Sequence, residues 1–193
     1  MATSAVDICN SALYKIGAQR INSLSDDTKA AKICNDQYDR LRKEVLRAHP
    51  WNFAISWIEL GQTVNTPVSD DYENEFLLPS DVLRVLETDI QDNLDWEIGY
   101  NVDGNKVIFC NADTLKIKYI KDVTNTTRFA PDFEEVLAFR LAADMAYSLV
   151  QSQSVQQAMF VYYQQALARA MSFDAQEKGQ DEIQADVFTE IRG

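Results

Sequence analysis

The spacing of apolar and polar positions changes twice along the chain. Val6, Cys9, Leu13 and Ile16 recur at helical spacing, and Ser4 before them is a residue type that caps helix starts. Gly17 stands where that helix is expected to stop. After a polar loop, AQRINSLSDDT, a long helix is predicted over residues 27–48. Its apolar stripe is Ile33, Cys34, Gln37, Tyr38, Leu41, Val45 and Leu46, and Arg40, Arg42, Lys43, Glu44 and Arg47 are assigned to its outer side. Pro50 ends it, because the residue before a proline is pushed out of the helical region.

The middle of the chain reads differently. NFAISWIEL is short and rich in aromatic and branched residues, as strands are. LPSDVLRVLE is a proline turn running into a further apolar segment. WEIGYNVDGNKVIFCNADTLKIKYI reads as two or three strands, with Asp103-Gly104 supplying the positive backbone angles of a tight hairpin turn. LKIKYIK alternates, with Leu115, Ile117 and Tyr119 on one face and Lys116, Lys118 and Lys121 mostly on the other.

From Pro131 the helical period returns. Pro131 suits a first turn, and Asp132, Glu134 and Glu135 complement the helix dipole. Val136, Leu137, Phe139, Leu141, Met145 and Leu149 make a broad apolar face. A polar break, QSQS, separates this helix from a second, VQQAMFVYYQQALARAMSFDAQ, and the two are predicted to form an antiparallel hairpin. In the acidic tail, Ile183, Val187, Phe188 and Ile191 fall on one side of a helix that needs a surface to bury them.

The predicted fold is therefore α+β, mainly α. A helical bundle carries an inserted small antiparallel β unit and a C-terminal extending helix. Its divisions are N-terminal bundle helices over 1–50, a β-rich insertion over 51–128, a helical hairpin over 129–175 and a docking tail over 176–193.

Charge narrows the function. The net charge of −12 is uneven: residues 1–50 carry +2, residues 51–128 carry −8 and residues 129–193 carry −6. No segment is a basic stripe able to neutralise phosphates, so tight nucleic-acid binding is disfavoured, and an acidic membrane surface would repel the chain. No apolar run approaches the roughly 20 residues needed to cross a bilayer. The first residues, MATSAVDICNSALYKIG, lack the basic start and apolar block of a signal peptide. The cysteines, Cys9, Cys34 and Cys110, are odd in number and show no metal-ligand spacing, so they read as reduced buried thiols, with neither metal nor cofactor expected.

Candidate chemistry is sparse. Nucleophile-elbow, phosphate-loop, dinucleotide and HExxH motifs are absent. His49 is the only histidine and would have to serve any Ser-His-Asp or Cys-His site. Its place at a helix end before Pro50 reads instead as a capping or packing role, in which the imidazole can satisfy terminal carbonyls and favour the dipole. DDYENE holds four carboxylates, and a hydrolase pairing Asp71 and Glu73 beside Trp96 is an enzymatic alternative that needs a sugar-binding cleft. The aromatics Trp51, Phe53, Trp57, Trp96 and Tyr100 are expected to fill the junction between helices and sheet. The segment His49, Pro50, Trp51, Asn52, Phe53 and Trp57 reads as a structural joint, so no catalytic residue is assigned.

HPWNFA, straight after a long charged helix, resembles the tail tubular protein A family, the head-to-tail adaptors of short-tailed bacteriophages. Residues 12–54 resemble the family's N-terminal block, LPSDVLRVLE its central turn, and RFAPDFEEVLAFRLAADMAYSL its second helical block. The resemblance implies a structural virion protein with a mainly helical fold and a β unit. It implies a twelve-membered homo-oligomeric ring that joins the portal protein to the tail nozzle protein in the neck of the virion. The subunit would be made in the host cytoplasm, and genomic DNA would pass through the ring without specific binding. Ile183, Val187, Phe188 and Ile191 are then expected to dock on the portal or a neighbouring subunit. A head-completion connector of a long-tailed phage is the other virion alternative.

Overall fold

The structure is a computed structural model that describes residues 3–65, 67, 71–90 and 95–177. The residues expected to dock, Ile183, Val187, Phe188 and Ile191, lie outside the described residues. The fold is α+β with helices predominant, and the described residues run in the order two helices, six strands, two helices.

Helix α1 spans Ala5–Lys15. Its start is a capping box, in which the Ser4 hydroxyl accepts from the Asp7 backbone N–H and the Asp7 carboxylate accepts from the Ser4 N–H. Its end is a Schellman motif: Ala18 N–H reaches the Leu13 carbonyl at 2.9 Å, Gly17 N–H reaches that of Tyr14 at 3.0 Å, and Gly17 takes φ +70°. Helix α2, Lys29–Ala48, is capped by Thr28, two residues later than the period alone predicts. Asn10 joins the loop to α1 by accepting from the Ile21 N–H and donating to the Ile21 carbonyl.

Helix α3, Pro131–Val150, carries Pro131 in its first turn. Gln151, left-handed at φ 54°, closes it, and Ser152 caps α4, Gln153–Gln176. The break between the hairpin helices is thus two residues rather than four. Ile8, Leu13, Cys34, Leu41, Val45, Val136, Leu137, Leu141 and Met145 from α1, α2 and α3 share one apolar core with Tyr163, Ala166 and Ala170 of α4.

Among the described residues the β unit is two antiparallel three-stranded sheets. The first has the order β1 (Ile55–Leu60), β6 (Leu115–Lys121), β3 (Val82–Thr88). The second has β2 (Asn74–Leu77), β5 (Lys106–Cys110), β4 (Trp96–Tyr100). Beyond β1 the chain bridges them, because Gln62 pairs with Phe76, Thr63 N–H donates to the Glu75 carbonyl and Leu77 N–H donates to that of Gly61.

Strand β6 is the wall between two cores. Leu115, Ile117 and Tyr119 meet Leu60, Phe76, Val82, Ile108 and Cys110 between the sheets, whereas Ile120 faces the helices. The β4–β5 turn departs from the expected two-residue form. Gly104 alone takes a positive φ, +77°, and Asp103 does not. Gly104 N–H donates to the Asn101 carbonyl, Asn101 N–H donates to that of Asn105, and the Asn101 side chain accepts from the N–H groups of Asp103 and Asn105. Two amides held by one Asn side chain favour this three-residue turn over a tight one.

Candidate functional site

In the segment that leaves α2, two aromatic side chains converge with two from the start of α3. His49 is the C-cap of α2 with an extended backbone, and Trp51 N–H donates to the His49 carbonyl. Residues 52–54 form one 3-10 turn that leads straight into β1. Trp51 is 1% exposed, and its indole N–H donates to the Val45 carbonyl at 2.9 Å. Its ring meets Phe133 edge-on at 5.2 Å. Phe53 meets Phe133 at 5.0 Å and Phe129 at 5.7 Å, so four rings from two chain segments form one cluster at the start of α3. Arg128 adds a hydrogen bond to the Phe53 carbonyl.

Asp174 in the last turn of α4 completes the cluster. Its carboxylate accepts from the Asn52 N–H at 3.0 Å and lies 3.0 Å from His49 Nε2, while its backbone carbonyl accepts from the Asn52 amide at 2.6 Å. The His49 ring therefore packs edge-on against Trp51 at 5.0 Å and pairs with a side chain of another helix rather than capping the carbonyls of its own. Sequence reasoning missed Asp174. A signal was present: a negative charge near a helix C-terminus opposes the dipole and calls for a compensating partner.

Of the six residues assigned to the joint, Trp57 does not take part. It shares a face of β1 with Ile55, whose partner Ile120 is covered by the bundle. Two residues further along that face, Trp57 is 64% exposed, and its cross-strand neighbour Lys118 lies over its ring. Trp96 and Tyr100 are also exposed, on β4, and do not fill the junction.

Arg42, expected on the outer side of α2, is instead 2% exposed. Its guanidinium donates to the Asp122 carboxylate, to the Val123 carbonyl at 2.7 Å and to Asp39 at 3.3 Å. Lys43 also reaches Asp122, at 3.5 Å. This clamp fastens the chain leaving β6 to α2. A helical stripe of fixed period places Arg42 next to Leu41 and cannot show that β6 ends there.

Several titratable groups with clear shifts lie in the core of the bundle. The hydrogen bond with Cys34 and burial push the Cys9 thiol far up, and burial raises Tyr38 and Tyr163. All stay protonated at neutral pH. On the surface, the Ser4 hydroxyl and backbone N–H hold the Asp7 carboxyl below the usual range.

Asp71 and Glu73 precede β2, and the pairing of Asn74 and Trp96 with Cys110 puts them at the same end of the second sheet as Trp96, with β5 between. The segment's backbone is tied to Asn111. Two cavities of about 520 and 440 Å³ lie elsewhere. The first is lined by Ile58, Leu60, Thr63, Leu77, Asn101 and Asp103 among others, and the second lies between Arg140 and Val161. The structure thus shows no cleft shared by Asp71, Glu73 and Trp96 among the cavities described. Among the described residues no group of three or more His, Cys, Asp or Glu side chains is placed to hold a metal ion, and no helix is long and apolar enough to cross a membrane. The arrangement around His49 holds three helices and the first strand in fixed relation.

No protein-family model matches the chain, and no curated protein matches it.

Proposed function

We propose that the chain is a head-to-tail adaptor subunit of a short-tailed bacteriophage. In this reading it forms a homo-oligomeric ring of twelve in the neck of the virion, seated between the portal protein and the tail nozzle protein, and it performs no catalysis. The observation that carries the reading is the correspondence between the resembling blocks and the pieces of the fold. Residues 12–54 comprise the end of α1, α2 and the joint; residues 78–87 enter β3; residues 128–149 form nearly all of α3.

Two physical features support it. A DNA conduit must not hold DNA, and an acidic chain of net charge −12 repels phosphates. Phe160, Val161, Tyr162 and Phe173 on α4, with Tyr147 on α3, are large apolar side chains left exposed on one helical hairpin, as packing against neighbouring subunits requires.

Sedimentation of the chain with and without its portal tests the reading. The adaptor reading expects a complex of portal and many copies of this chain. Deleting residues 180–193 should leave the melting temperature nearly unchanged and abolish attachment. A chain that never sediments with the portal, or a deletion that attaches normally, overturns the adaptor or the tail assignment respectively.

A further inference from the structure

The hydrogen-bonded order of the β unit runs β3-β6-β1, crosses to β2 through Gly61–Thr63, and continues β5-β4. Its two free edges among the described residues are therefore β3 and β4, and they are built differently. Strand β3 has register shifts at Val82/Arg84 and Val85/Glu87, exposes Arg84 and Glu87, and packs against α2. Bulges, charges and covering elements are how natural proteins protect an edge from added strands. Strand β4, WEIGY, pairs with β5 in unbroken register and carries no Lys, Arg or Pro.

The chemistry of the β4 edge can be worked out from its hairpin. Asn101 N–H bonds to the Asn105 carbonyl, so by the alternation of antiparallel ladders Gly99 and Glu97 are bonded inward to β5. Trp96, Ile98 and Tyr100 then direct their N–H and C=O groups outward. By register these three also lie on the face of Cys110 and Ile108, which line the core between the sheets. Trp96 is 39% and Tyr100 69% exposed, so they are an uncovered extension of that core. The opposite face is covered at Gly99 and open at Glu97. Phe109 lies across Gly99, where a Cβ would meet its ring at 2.7 Å, and Tyr72 stacks on Phe109 at 6.2 Å. Asp95, Glu97 and Asp103 make the surroundings of the edge acidic, and the nearest base is Lys106, opposite Tyr100 on β5.

We propose that β4 is a strand-addition site for an extended segment of a partner protein that alternates apolar and basic residues. The apolar residues of the incoming segment cover Trp96, Ile98 and Tyr100, its basic residues meet Glu97 and Asp95, and its backbone bonds to the outward groups of the three apolar positions. Apolar-acidic patterning of the edge selects a complementary strand and disfavours a second copy of β4, which would bring the acidic surroundings of two chains together. This inference does not depend on the adaptor reading.

The test is titration of the isotopically labelled full chain with a short capped peptide alternating valine and lysine, followed by amide shifts and hydrogen exchange. The expected result is saturable shifts confined to β4 and its turn, with slowed exchange of the Trp96, Ile98 and Tyr100 amides. Ile98→Lys should abolish the shifts, and Glu97→Gln should weaken binding by a factor of about two to five. A peptide alternating valine and glutamate should not bind. No β4 shift, equal binding of the acidic peptide, or shifts centred on β3 would overturn the proposal. So would concentration-dependent broadening of β4 amides without peptide, which signals self-pairing.

Discussion

Truncating Trp51 to alanine empties the largest fully buried position of the aromatic cluster. The side chain is 1% exposed and is held by Phe133 at 5.2 Å, Phe53 at 6.3 Å and the His49 ring at 5.0 Å. Loss of a large aromatic from a packed core costs about 3–5 kcal/mol, including the cavity left behind. The Val45 carbonyl also loses the indole N–H, a net effect of about 1 kcal/mol that falls within that range. Taking about 4 kcal/mol, and about 2–4 °C per kcal/mol for a chain of this size, the melting temperature should fall by about 8–16 °C. Trp51→Phe separates the terms, because it keeps a ring and removes the donor; it should cost about 1–2 kcal/mol. Thermal and urea unfolding followed by circular dichroism measure both. An alanine variant that melts within about 2 °C of the parent would refute the reasoning, and equal losses in the two variants would show that the hydrogen bond outweighs the packing.

Further outcomes follow from single contacts. Arg42→Ala leaves the Asp122 carboxylate against α2 without its main partner and should cost about 3–5 kcal/mol in urea unfolding. Gly99→Ala drives a methyl into the Phe109 ring and should cost about 1–3 kcal/mol. Ser4→Ala removes the cap of α1 and should cost about 1 kcal/mol. Because the capping box holds Asp7 below its unfolded value, its contribution is present at neutral pH and is lost as pH falls through the carboxylate range, so the Ser4→Ala penalty should shrink in acid. His49→Gln can keep the bond to Asp174 and should change stability by no more than about 1 kcal/mol, measured by thermal unfolding.

Where a local rule acts, the sequence was readable. Ser4, Gly17, Pro50 and Pro131 act on the backbone next to them, and each marks a helix end in the structure. The alternation of LKIKYIK placed Leu115, Ile117 and Tyr119 on the inner face because period two is a property of the strand itself. What stayed hidden depends on which elements meet. Arg42 is buried because the chain leaving β6 closes over it, and Trp57 is exposed although it shares a strand face with Ile55. Asp174 lies more than a hundred residues from His49 and Asn52, so no window on the sequence contains the pair. The division of six strands into two sheets turned on the crossing at Gly61–Thr63, which has no strand-like pattern of its own.

The central claim, that this chain is a ring-forming adaptor between portal and nozzle, is tested most directly by electron microscopy of the purified protein mixed with its portal. The account predicts portal particles extended on one side by a ring with twelvefold symmetry and an open axial channel. Portal particles that remain bare at saturating concentrations of this chain would contradict it.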